Sequence, residues 1–203
     1  MNKIAVVLLA VFFFQSAFSQ TDFGIQKPKA KISVSINETE YTVSDGDTIS
    51  HEGDRIVVKT SEYLTFDYGI LKFDYPNHFA FEYDEDFGYR NWTLDGNNYV
   101  VMYFEFRGDI SFKMLANEIV ERFGRENCEI KRDKFKLGDI ELTGEKISVN
   151  IIGETLNYGL YEIKSDDDKT HFIAFQDSLN DYNEPTEEGI QTLELIGKTI
   201  SKK

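Results

Sequence analysis

From Ile32 onward the apolar positions keep mostly to a period of two, the signature of strands with one buried face. Ile32, Val34 and Ile36 alternate with Ser33, Ser35 and Asn37, and Tyr41 and Val43 resume the pattern after a polar turn. Asp45-Gly46-Asp47 and Glu52-Gly53-Asp54 supply turn chemistry, and Arg55–Lys59 holds another β-branched run. Residues 32–62 therefore read as a small β-meander, with three or four strands over 32–60. Fewer than thirty residues rarely fold alone, so this meander is expected to pack onto the rest of the chain.

The stretch 63–106 carries fifteen aromatics. Leu71, Phe73 and Tyr75 alternate with Lys72 and Asp74, Pro76-Asn77 turns the chain, and Phe79, Phe81 and Tyr83 alternate again. This predicts an antiparallel pair with one aromatic face. Asp84–Asn98 reads as a polar, glycine-containing loop with Trp92 inside it. Tyr99–Phe106 is apolar at both parities, which marks a central strand covered on both faces.

Two segments switch to a helical period. Phe112, Leu115, Ala116, Ile119, Val120 and Phe123 form an unbroken stripe, with Asp109 or Ser111 to cap it and Gly124 to end it. Near the C-terminus Ile190, Leu193, Ile196 and Ile200 form a second stripe behind Pro185, with Glu187 and Glu188 at the positive end. Between them Cys128–Leu137, Ile140–Ile152, Leu156–Ile163 and His171–Gln176 read as strands, the last buried on both faces. The predicted class is α+β: a mostly antiparallel sheet with amphipathic helices packed on its faces, a helix–sheet–helix sandwich over residues 63–203, preceded by the β-meander.

The N-terminus obeys a different grammar. Lys3, eleven consecutive apolar residues from Ile4 to Phe14, and small Ala17 and Ser19 read as a cleavable secretory signal over residues 1–19. The apolar run is too short to span a bilayer. Residues 20–31, polar and containing Pro28, read as a linker. The expected product is exported, to the periplasm or the extracellular space, with no transmembrane segment. Cys128 is the sole cysteine, so no intrachain disulfide can form.

Charge narrows the partners. The chain carries 36 acidic and 22 basic side chains, a net charge of −14. That disfavours nucleic acid and anionic lipid, both of which demand a basic footprint. A protein partner, a small ligand or a cation in the exported compartment remains.

The segment FDYPNHFAFEYD, the strand YVVMYFEF, the helix ending at Gly124 and the finish HFIAFQDSLND…EEGIQTLELIGKTI resemble the PsbP-like fold, a group of photosystem extrinsic subunits and DcrB-type periplasmic lipoproteins. The resemblance spans roughly residues 69–201 and rests on element order and aromatic placement. It implies a non-enzymatic exported scaffold that binds a partner or ligand, and identifies neither. The membrane tether of the lipoprotein members does not carry over, because no cysteine lies near the cleavage site.

Enzyme motifs are missing: no His-Glu-x-x-His, no Cys-x-x-Cys, no Gly-x-Ser-x-Gly and no phosphate-cradling glycine loop. Three constellations merit testing. Phe87, Tyr89 and Trp92, in an otherwise polar loop, suit contact with a protein or glycan. Asp84, Asp86 and Asp95 stand at relative positions 1, 3 and 12 of a calcium loop, although Tyr89 occupies the position that needs glycine. Glu82, Glu105 and Glu162 lie on predicted strands and would serve acid–base chemistry if two shared a cleft. The corresponding expectations are an exported interaction protein, a calcium-responsive acidic protein and a carboxylate-dependent hydrolase, in that order. Asn37-Glu38-Thr39 and Asn91-Trp92-Thr93 also match the glycosylation acceptor pattern.

Overall fold

The computed structural model describes residues 31–203, so the segment read as a secretory signal and all of the expected linker except Lys31 lie outside the described residues. The described residues divide into two compact units, one ending at Ser61 and the other running from Glu62 to Lys203.

In the first unit the described residues form two hairpins. Strand β1 (Lys31–Ile36) pairs with β2 (Thr39–Ser44), and β3 (Thr48–His51) pairs with β4 (Asp54–Val57). Both two-residue turns, Asn37-Glu38 and Glu52-Gly53, have positive φ throughout. That conformation matches the right-handed twist of the flanking strands and explains the tight registers Ile36↔Thr39 and His51↔Asp54. Tyr41 Oη lies 2.9 Å from His51 Nδ1, tying β2 to β3. Val43 and Ile49 are the buried apolar side chains.

The second unit is built on a seven-stranded, wholly antiparallel sheet ordered β10-β11-β12-β13-β9-β8-β7. Its strands are β7 (Ala80–Asp86), β8 (Tyr89–Asp95), β9 (Tyr99–Arg107), β10 (Cys128–Leu137), β11 (Ile140–Ile151), β12 (Glu154–Ile163) and β13 (Lys169–Ser178). A three-stranded sheet ordered β14-β6-β5 joins β5 (Tyr63–Tyr68), β6 (Leu71–Pro76) and β14 (Ser201–Lys202). The helices are α1 (Phe112–Phe123), capped by Ser111, and α2 (Glu187–Thr199), capped by Thr186.

The sandwich expected from sequence is not the fold. Of the described residues 57% are in strands and 16% are helical, and there are two α-helices. Over the core, α2 shares the covering role with β5 and β6. Phe66, Leu71, Phe73 and Tyr75 join Ile196 in packing against Trp92, Leu94, Tyr99, Val101, Tyr103, Tyr161, Ile173 and Phe175 of the large sheet. Helix α1 lies against β11 and β12. The mostly β character arises because residues 63–98 form four strands, two of which the apolar pattern hides.

Pairing changes with it. Leu71–Tyr75 does not pair with Phe79–Tyr83; β6 pairs with β5 and β14, and β7 pairs with β8. The expected loop Asp84–Asn98 is the end of β7, a tight turn at Phe87-Gly88 and the whole of β8. Strand β8 was obscured because Asn91 and Thr93, polar residues, are buried on one of its faces while Trp92 and Leu94 are buried on the other.

A carboxylate locks the β8–β9 turn. Glu188 of α2 accepts hydrogen bonds from the backbone N–H groups of Asn97, Asn98 and Tyr99, and its Oε1 lies 2.8 Å from His78 Nε2. Burial pushes the Glu188 carboxyl up, but the His78 contact and the Asn98 and Asn97 amides outweigh it and hold the group below its ordinary range.

Candidate interaction surface

Strand β7 is an outer strand of the large sheet, so its residues are half open to solvent on both faces and along the edge. Strand alternation places Phe81, Tyr83 and Glu85 on the face of β7 that meets Leu94, Trp92 and Arg90 of β8. Tyr68 reaches the same place from the end of β5. Its ring centroid lies 5.8 Å from Trp92 and 5.5 Å from Phe81. Tyr83 stands 5.4 Å from Trp92 on the other side, and Tyr103 lies 5.3 Å from it within the core. Trp92 is 5% exposed, whereas Tyr68, Phe81 and Tyr83 are 43%, 43% and 48% exposed. The result is an open aromatic layer on a buried aromatic floor. Aromatic side chains of this kind present large contact area at low conformational-entropy cost.

One end of the layer is polar. The Tyr83 hydroxyl donates to Glu85, whose Oε1 also accepts from Arg90 Nε at 3.2 Å. The Tyr83 hydrogen bond, and then Arg90, hold the Glu85 carboxyl below its ordinary range, and the same bond raises Tyr83. Arg90 Nη1 lies 3.4 Å from Glu105 Oε1, and Lys169 Nζ donates to that oxygen at 2.8 Å. Two cations thus answer the one buried carboxylate of β9, as a buried charge requires.

Beneath the floor lies a buried polar chain. His171, fully buried, stands 2.7 Å from the Tyr103 hydroxyl through Nδ1 and 2.9 Å from Asp167 Oδ2 through Nε2. A carboxylate only accepts, so Nε2–H donates to Asp167; in that tautomer Nδ1 accepts from the Tyr103 hydroxyl. That hydroxyl in turn accepts from the Ile70 amide at 3.2 Å. Burial raises the Tyr103 hydroxyl well above its ordinary range. For Asp167 burial acts upward too, but the His171 hydrogen bond and that from Ser165 prevail and lower it. The chain joins β5–β6, β9 and β13, and His171 itself is sealed from solvent.

The residues singled out from sequence scatter. Phe87 sits at the β7–β8 turn with 94% exposure. Tyr89 and Trp92 are buried on opposite faces of β8, so Phe87, Tyr89 and Trp92 do not make one surface. Asp84 and Asp86 lie toward that turn, whereas Asp95 pairs with Ala80 at the far end of β7. Four strand residues, about 13 Å, separate the two places, so no calcium loop forms there. Among the described residues no three His, Cys, Asp or Glu side chains are grouped to hold a metal ion. Glu82 and Glu162 are exposed and share a sheet face, but β8, β9 and β13 stand between their strands; Glu105 is buried on the other face. These three carboxylates share no cleft. Asn91 is 2% exposed, which takes it out of reach of glycosylation in the folded protein.

Tyr68, Phe81 and Tyr83 were missed as site residues. The alternation of Phe79, Phe81 and Tyr83 revealed an aromatic face, but nothing local marked β7 as an outer strand that leaves this face half open.

No protein-family model and no curated protein matches the chain. Among solved structures, one from Bacteroides thetaiotaomicron aligns at 14% identity with a TM-score of 0.38, over 66% of this chain and 45% of the other. A second is LpqN of Mycobacterium tuberculosis, described as involved in cell envelope biogenesis. It aligns at 14% identity with a TM-score of 0.39, over 65% of this chain and 82% of the other. The chain thus spans less than half the length of the first of these proteins. Among the described residues no helix is long and apolar enough to cross a membrane.

Proposed function

We propose that this protein is an exported interaction module that holds a protein partner against the aromatic layer of Tyr68, Phe81 and Tyr83. The observation that carries the reading is the exposure of three neighbouring aromatic rings on a buried Trp92 floor. Clustered aromatic anchors of this kind dominate the energetics of protein interfaces. The N-terminal signal pattern supports export, and the resemblance to the PsbP-like group supports a scaffold without chemistry of its own.

The test is site-specific photocrosslinking in the exporting cell, from position 81 and from Tyr182, an exposed aromatic elsewhere in the same unit. A discrete adduct from 81 alone, identified by mass spectrometry, then gives a partner to purify. Its binding to wild type, and at least tenfold weaker binding to the F81S/Y83S variant, is the expected result. Equal binding to both removes the reading.

A further inference from the structure

The proposed surface has an edge as well as a face, and the edge specifies the form of its partner. Strand β7 ends the sheet, so the backbone groups on its outer side have no strand partner among the described residues. Its two faces differ sharply. Phe81 and Tyr83 lie on the Trp92 side, with Tyr68 beside them. Glu82, Asp84 and Asp86 lie on the opposite side, and none has a cation within ion-pair distance among the described residues. Glu85 is the exception in charge as in face: Arg90 answers it. Asp95 of the neighbouring strand pairs with Ala80 of β7, and its carboxyl is raised by burial first and then by the fields of Glu82 and Glu188.

We infer, building on the proposed function, that the partner enters as an extended segment that adds a strand to β7, with basic and apolar residues in alternation. Strand addition supplies main-chain hydrogen bonds, and side chains directly opposite each other share a face. Positions of the added strand that face Phe81, Tyr83 and Tyr68 are therefore apolar. Positions that face Glu82, Asp84 and Asp86 are lysine or arginine. Seven residues of β7 span about 23 Å, so a segment of six to eight residues fills the edge. A second copy of this chain is a poor occupant. Pairing β7 with itself would set three unneutralised carboxylates of one copy against three of the other, and like charges across strands destabilise a pair.

The probe is an octapeptide of alternating lysine and valine, titrated into the ¹⁵N-labelled protein. Its controls are a glutamate–valine peptide and a lysine–valine peptide N-methylated at alternate residues. Saturable binding is expected, with amide exchange of every second residue from 80 to 86 slowed at least tenfold. Binding by the glutamate peptide and the methylated peptide should be at least tenfold weaker, and the E82K/D84K variant should lose at least tenfold in affinity for the lysine peptide.

Binding that survives E82K/D84K, or that leaves exchange over 80–86 unchanged, overturns strand addition and leaves the aromatic face as a contact surface. Failure of the peptide where a chito-oligosaccharide binds overturns it in favour of a glycan. The failure of the interaction reading itself is read separately, from the crosslinks at position 81.

Discussion

Tyr83 and Trp92 stand directly opposite each other on β7 and β8, with ring centroids 5.4 Å apart, yet one is half exposed and the other buried. This pair marks the boundary between the packed core and the aromatic layer that lies open to solvent. Trp92 sits among Phe66, Tyr68, Tyr83 and Tyr103, and its loss would open a large void. Tyr83 covers only one side of it.

The first prediction separates the two roles. Trp92→Ala should cost about 3–5 kcal/mol of stability in urea unfolding, the range for a large aromatic removed from a core. Phe81→Ser and Tyr83→Ser should each cost about 1 kcal/mol or less, because surface changes away from a packed core are small. If the serine variants destabilised the protein as much as Trp92→Ala, the aromatic layer would be core and not surface.

Tyr103→Phe probes the buried chain. Removing one hydroxyl leaves His171 Nδ1 and the Ile70 amide without their partner. A buried unsatisfied group costs about 1–3 kcal/mol, so a loss of that order is expected in the unfolding free energy. An unchanged midpoint would mean that the chain does not stabilise the floor.

The Glu188 clamp gives a pH dependence with a defined sign. Its folded pKa lies below the ordinary 4.5, so it stabilises the protein above about that pH. This stabilisation disappears as pH falls through the lower folded value. Glu188→Gln should therefore cost about 2–3 kcal/mol at pH 7, as lost charge-assisted hydrogen bonds do. The gap between variant and wild type should narrow below pH 4.5. Urea titrations at pH 7 and pH 3 measure both; a gap that widens on acidification would contradict the clamp.

Gly144 on β11 marks where the sheet allows no side chain. A Cβ there would overlap the Leu160 carbonyl of the adjoining β12. Gly144→Ala should cost about 3 kcal/mol or more through forced backbone shifts. A thermal midpoint within a degree of wild type would show that β11 and β12 are not paired as Gly144↔Tyr161.

Periodicity revealed the elements whose surroundings are uniform. The stripe from Phe112 to Phe123 is α1, and the runs Tyr99–Phe106 and His171–Gln176 lie in β9 and β13, interior strands of the sheet. It failed at β8, where buried Asn91 and Thr93 look like loop residues, and that failure moved Trp92 from core to imagined surface. The architecture was misjudged because the cover over Trp92 and Tyr103 comes partly from β5 and β6: the apolar pattern assigns no strand to residues 63–68 and pairs Leu71–Tyr75 with Phe79–Tyr83. The proposed interaction surface was legible only as an aromatic face. Its exposure depends on strand order, and β13 reaches β9 across some sixty residues of chain in a contact no local pattern encodes.

The most direct test of the central claim is the photocrosslinking comparison between positions 81 and 182. The account predicts a single adduct species from position 81, whose purified partner binds wild type at least tenfold more tightly than the F81S/Y83S variant. Adducts of equal yield from both positions, or a partner that binds wild type and variant alike, would contradict it.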